Sequence, residues 1–393
     1  MPEDPKDWQV ATRLIRGGLA RSPHGEIAEA LYLTQSFAYD SAEAADARFG
    51  GADRGFIYAR YGNPTVAMFE QRLALLEGAE ACRATASGMA AVHLALTGLV
   101  RAGDHIVSGK ALFGSCRWIL NQWAPRFGVE TTLVDGPDLE AWRAAVRPNT
   151  KAFFLETPAN PLLEMCDVAA ICAIAHEAGA KVVVDNVFAT PIFQSPLKLG
   201  ADIVVYSATK HIDGQGRVLG GAILGDQATL DEAYKDIMRH TGPALSPFNA
   251  WLLLKGLETL DLRVRRQSQT AAMLADRLAA NPKVRACRYP TRADHPQHEI
   301  ATRQMSGGGT LVAFDVGSGE AAFRFLNALE LIDISNNLGD AKSMATHPTT
   351  TTHRSMTEAE RAEIDLTPGW VRLSVGLEDE RDLARDLERA LEA

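Results

Sequence analysis

The chain has 393 residues, and at about 150 residues per domain that length implies two or three domains. It is 46% hydrophobic and 23% charged, which excludes a disordered chain, a collagen-like fibre and a small disulfide scaffold. Against 49 Asp and Glu stand 40 Lys and Arg, and a net charge of −9 suits neither nucleic acid nor an anionic membrane as partner.

The start, Met1 to Pro5, is acidic and proline-rich, unlike a signal peptide. Residues 1–62 are irregular, with scattered glycines and a Ser22-Pro23-His24-Gly25 turn, and they read as an arm laid over something else. Five cysteines, at 82, 116, 166, 172 and 287, form no C-x-x-C pair. That usage predicts a reducing compartment, the cytoplasm. A strand is expected before Ser87, with a helical pattern after it. Ala152–Glu156 is a short apolar strand that runs into Thr157-Pro158-Ala159-Asn160-Pro161. Asp167 can cap a helix whose apolar positions Val168, Ile171, Cys172, Ile174 and Ala175 keep helical spacing, and Gly179 suits its end. Lys181–Asp185 and Asp202–Tyr206 are again β-branched runs.

Continuous apolar strands alternating with helices predict an α/β fold, a mostly parallel sheet with helices on both faces. This cofactor-binding domain is expected over 63–256. Ala250 to Ala280 reads as one long amphipathic helix. Strands at Thr310–Phe314 and Trp370–Val375, and a helix opened by a Thr357/Glu360 capping box, predict a smaller α+β domain over 257–393. No apolar run is long enough to span a bilayer.

Functional groups gather at the carboxyl ends of strands in open α/β sheets. Three such ends are chemically loaded here. One runs into Ser207-Ala208-Thr209-Lys210, where partial burial suits a lysine to act as a nucleophilic amine. One ends in Asp185, a fixed anion of the kind that keeps a pyridine ring protonated. The third opens a helix at Ser87-Gly88-Met89, whose backbone N–H groups and dipole favour a phosphate. Ser207 and Thr209 could add hydroxyl donors. Each feature has a bland alternative: a loop lysine, a turn-capping aspartate, a simple N-cap. Together they specify pyridoxal 5'-phosphate.

Competing motifs fail. Gly214-x-Gly216 lacks the third glycine of a dinucleotide site, and the Gly103 to Lys110 stretch is one residue too long for a P-loop. His347 and His353 match no zinc spacing, so no metal is expected. Period-2 alternation in Trp370–Val375 sets Arg372 opposite Val371, Leu373 and Val375, a placement suited to carboxylate capture or to a surface ion pair. Tyr58 and Arg60 sit in a turn-rich segment, Tyr58 to Thr65, outside the main sheet.

The chain resembles the γ-subfamily, or Cys/Met metabolism group, of pyridoxal-phosphate enzymes. The matching segments are Tyr58–Thr65, Ser87–Ala91, Leu112–Gly114, Glu156–Pro161, Val183–Pro191, Tyr206–His211 and Arg372–Glu378, in family order. The resemblance implies the aspartate-aminotransferase-like (type I) fold and a homotetramer built from two active dimers. It also implies roles. Lys210 would be the Schiff-base lysine and proton shuttle, and Asp185 would pair with the ring nitrogen. Ser87, Gly88, Met89, Ser207 and Thr209 would hold the phosphate, and Asn160 would contact the ring hydroxyl. Tyr58 and Arg60 would reach the neighbouring subunit's phosphate, Tyr58 close enough to serve catalysis. Arg372 would bind the substrate α-carboxylate, with Asn337 beside it.

Departures from the family pattern sharpen the reading. Phe113 stands where a stacking Tyr is usual, so stacking survives without a phenol. His211 replaces a common Tyr. Gly214-Gln215-Gly216-Arg217 and Asn337-Leu338-Gly339-Asp340 also differ. These features are most similar to the branch that performs γ-replacement on an O-succinyl ester of homoserine with sulfide. Cysteine as acceptor, γ-elimination from methionine or cystathionine, and an O-acetyl ester remain open. A nicotinamide-dependent oxidoreductase on a similar sheet and a non-catalytic cofactor-binding protein are the distant alternatives.

Overall fold

In a computed structural model, which describes residues 4–393, twelve strands form two sheets. The larger sheet contains β1 (Ala81–Thr85), β2 (His105–Gly109), β3 (Glu130–Val134), β4 (Thr150–Glu156), β5 (Lys181–Asp185), β6 (Ile203–Ser207) and β7 (Gly221–Gly225). Its order is β1-β7-β6-β5-β4-β2-β3, and β7 alone runs against the rest. The second sheet contains β8 (Ala286–Arg288), β9 (Leu311–Asp315), β10 (Asp333–Ile334), β11 (Met344–Thr346) and β12 (Trp370–Ser374). Its order is β10-β11-β12-β9-β8.

Alternation decides what each strand residue meets. Ala152 and Phe154 of β4, Val183 of β5, and Ile203 and Val205 of β6 pack into one apolar cluster with helix Gly88–Thr97. Phe153, Leu155, Val182 and Val184 point the other way, against helix Val168–Glu177. Both faces are therefore dry, which is why these strands are apolar without interruption. The same parity puts Glu156, Asp185 and Ser207, the last residues of three adjacent strands, on the face that carries helix Gly88–Thr97.

The expected helix from 250 to 280 is two helices, Pro247–Leu257 and Leu260–Ala280. The break is tertiary in origin. A Cβ at Gly256 would strike the Ile212 carbonyl oxygen, so the first helix is pressed onto the segment after Lys210. Arg263, 6% exposed, then donates to the carbonyls of Gly256 (2.8 Å) and His211 (2.9 Å), and its Nε to Thr259 Oγ1 (3.1 Å). Thr357 caps helix Glu358–Ala362 in a complete capping box with Glu360. Asp167 caps Val168–Glu177 as the spacing predicts. Among the described residues no helix is long and apolar enough to cross a membrane.

Candidate active site

A cavity of about 260 Å³ opens at the carboxyl ends of β4, β5 and β6. Ser87, Gly88, Met89, Phe113, Asn160, Asp185, Ser207, Thr209, Lys210 and Arg372, all picked out in the sequence, line it together. Asn337 reaches it through Lys210, whose Nζ donates to the Asn337 amide oxygen. Tyr58 and Arg60 do not line it. Both are exposed, and Arg60 lies on a separate hollow, where it stacks over Tyr61 at 4.7 Å.

Backbone geometry builds the anion-binding end. Ser87 adopts an extended conformation, and its hydroxyl accepts the Ala90 N–H at 3.1 Å. The N–H groups of Gly88 and Met89 stay at the open first turn, where the helix dipole favours an anion. A Cβ at Gly88 would lie 2.5 Å from Ser207 Cβ, so only glycine lets this helix end meet β6. Thr209 is held by its hydroxyl, which accepts the Gly220 N–H at 3.1 Å.

Behind this face the strand ends are locked by side chains of the opposite parity. Tyr206 donates to Glu77 and accepts from Asn186 Nδ2 at 2.6 Å. Gln194 Nε2 binds Asn186 Oδ1 at 2.8 Å and the Thr157 carbonyl at 2.9 Å. These buried bonds tie β4, β5 and β6 to one another, while Glu77 Oε1 and Gln194 Oε1 stay without a partner.

Asp185 is 8% exposed and accepts the Val187 N–H at 3.1 Å. Burial raises its carboxyl well above the usual carboxylate range. A cation bound against it would restore the anion, and a protonated pyridine nitrogen is such a cation. Lys210 is half-buried, and burial first and the Arg372 cation second lower its amine to about 8. Free base is then accessible near neutral pH.

Arg372 is 1% exposed. Alternation does set it opposite Val371 and Leu373, but neither face of β12 meets water. Val371 and Leu373 enter the core of the smaller sheet, while Trp370 and Ala313 join a cluster between the two sheets, and Arg372 shares their side. Its Nη1 donates to Asn160 Oδ1 at 2.8 Å and its Nη2 to the Asn336 carbonyl at 2.9 Å. Its Nε is buried without a partner. An orphaned guanidinium N–H costs free energy until an acceptor arrives, and a carboxylate is the acceptor its fork best matches. The surface ion pair considered for this residue is ruled out by its burial.

Glu156 lines the same cavity and was not singled out from the sequence as a site residue. The signal was available, since an acid closing a continuous apolar strand is the pattern that marks Asp185. Its oxygens accept the N–H groups of Phe113 and Asn160, each at 2.8 Å. Burial and the neighbouring Asp185 raise its carboxyl.

An N–H cradle, a buried anion and a lysine of lowered basicity all fit pyridoxal phosphate, and on this sheet topology they define a pyridoxal-phosphate enzyme of the aspartate-aminotransferase-like fold. The model of the family described as Cys/Met metabolism PLP-dependent enzyme matches residues 11–392, and the chain belongs to that family. It is 55% identical to the O-succinylhomoserine sulfhydrylase of Mycobacterium tuberculosis, over 98% of this chain and 97% of the relative. Identity with the Pseudomonas aeruginosa O-succinylhomoserine sulfhydrylase is 47%, over 97% and 95%. Among solved structures, a putative O-acetylhomoserine (thiol)-lyase from Campylobacter jejuni, which carries a pyridoxyl-lysine phosphate, superposes with a TM-score of 0.95 at 31% identity, covering 98% of this chain and all of that one.

Proposed function

We propose that this chain catalyses γ-replacement on O-succinylhomoserine with sulfide, yielding homocysteine and succinate for methionine biosynthesis. The observation that carries the reading is one cavity shared by Lys210, Asp185 and Arg372. The choice of ester and acceptor is supported by the 55% identity to a relative bearing that activity in its name.

Pyridoxal phosphate, when bound, supplies the electron sink for charge developed at the substrate α-carbon. Asp185 holds the proton on the ring nitrogen. Gly88 and Met89 N–H groups with Ser87, Ser207 and Thr209 hydroxyls hold the phosphate. Arg372 receives the α-carboxylate, with Asn337 at its side. Asn160 would meet the ring hydroxyl, and Phe113 would offer its phenyl group to the ring. Phe113 has no phenol, so proton transfer falls to Lys210. Its Nζ takes the α-proton, serves the β-carbon and returns both protons at the end. The Cγ–O bond to succinate breaks, a C–S bond forms at the same carbon, and no net oxidation occurs.

The reading extends to assembly. Residues 1–62 form an arm, 63–256 the cofactor domain and 257–393 the smaller α+β domain. Tyr58 and Arg60, exposed and away from their own cavity, complete the phosphate site of the neighbouring subunit in a homotetramer, which works in the cytoplasm. Initial rates with O-succinyl- and O-acetylhomoserine, each with sulfide and with cysteine, test the reading. The succinyl ester with sulfide is expected to be fastest. A preference for cysteine, for the acetyl ester, or for keto-acid release without an acceptor overturns it.

A further inference from the structure

We propose that Glu156 is a positioning residue that ties Phe113, Asn160 and, through Asn160, Arg372 into one unit beside Asp185. The inference rests on the reading of Arg372 as the carboxylate receptor and deepens it.

Glu156 is 3% exposed and closes β4 in register with Asp185 on β5. Paired residues on parallel strands point the same way, so the two carboxylates emerge side by side. Oε2 accepts the Phe113 N–H and Oε1 the Asn160 N–H. These donors come from two separate segments of the cavity lining. Phe113 precedes helix Gly114–Trp118, and Asn160 belongs to the loop after β4. From Asn160 the connection continues, because its Oδ1 accepts Arg372 Nη1 at 2.8 Å. One carboxylate therefore sets the separation between the ring-covering phenyl group and the arginine of the other sheet.

Space on the far side makes the tie consequential. A Cβ at Gly114 would lie 2.6 Å from the Thr352 carbonyl oxygen, so the Phe113 segment is held between Glu156 and the 346–353 loop. It cannot shift without losing one contact or the other. The chemistry also demands a carboxylate. Two converging N–H donors need two acceptor oxygens, and an amide offers one while turning its NH2 toward the second donor. An N–H left unsatisfied in a buried site carries the full desolvation penalty.

The test is Glu156→Gln in the holoenzyme, a change of nearly the same shape. The pyridoxal phosphate dissociation constant is expected to rise about tenfold. The visible circular dichroism of the bound cofactor should weaken as Phe113 loses its fixed setting. KM for the amino-acid substrate should rise by more than kcat falls, because Arg372 is displaced through Asn160. Glu156→Asp keeps both oxygens but is one methylene short of spanning both donors. It should move the same readouts in the same direction, and it carries the test if the Gln variant does not fold. Wild-type cofactor affinity, dichroism and KM in a folded variant overturn the proposal, even if the melting temperature drops. So does loss of the fold in both variants. Affinity and dichroism need no substrate, so they stand whichever ester the enzyme takes, and failure of O-succinylhomoserine as substrate overturns the functional reading alone.

Discussion

The two sheets meet the cavity in different ways. The larger sheet contributes groups from strand ends, where Asp185, Ser207 and the segment holding Lys210 follow directly from buried β-branched runs. Backbone position alone brings these groups together. The smaller sheet contributes Arg372 from the middle of β12, and that side chain reaches across the apolar cluster between the sheets. Its guanidinium is aimed by Asn160 and by backbone carbonyls, not by its own strand end. Groups proposed to hold the cofactor and move protons thus come from one rigid frame, and the group proposed to recognise the substrate comes from another. Bond making and recognition should be separable by mutation.

The largest expected effect is on the first frame. Lys210→Ala should lower kcat by about 10⁴-fold or more, since it removes both nucleophile and acid–base. Steady-state rates check this, and near-normal turnover would sink the assignment. Next comes Arg372→Ala. The loss of a charged hydrogen-bonding partner should raise KM about 10- to 100-fold, with a smaller fall in kcat. A fall in kcat at unchanged KM would erase the distinction between the two frames.

A pH series sharpens the same contrast. Lys210 must be neutral to attack an aldehyde, and burial lowers its amine to about 8. Cofactor uptake by stripped protein, followed by absorbance, should therefore quicken with rising pH and level off above about 8. Below that value it should slow by about tenfold per pH unit. A flat profile between pH 6 and 9 would contradict the lowered amine. The smallest effect belongs to Thr357→Ala, which removes the capping box at the edge of the second frame. Unfolding titrations should show a loss of about 1 kcal/mol with kcat and KM unchanged. A change in KM would mean that this edge is coupled to Arg372.

The first frame was the more legible of the two in the sequence. Lys210, Asp185 and Ser87–Met89 stand at transitions that local pattern marks: apolar run to polar turn, or turn to helix. Glu156 obeys the same rule, closing β4 as Asp185 closes β5. The second frame depends on packing that a linear pattern does not encode. Alternation predicts which side of β12 carries Arg372, but not that a second apolar layer covers it. The division of the expected 250–280 helix likewise has no strong local breaker. It arises where Gly256 meets the Ile212 carbonyl, a contact between segments about 45 residues apart.

That contact and Arg263 have a consequence for chimaeric proteins. Arg263 belongs to the C-terminal half, yet two of its partners, the His211 and Ile212 carbonyls, follow directly on Lys210. A Cβ at Gly214 would overlap its guanidinium, so the glycine and the arginine occupy one shared volume. Exchanging the C-terminal half with that of a relative is then a change to the seat of Lys210 as well. A junction placed at 256–257 can work only where donor and recipient agree on this glycine–arginine pair.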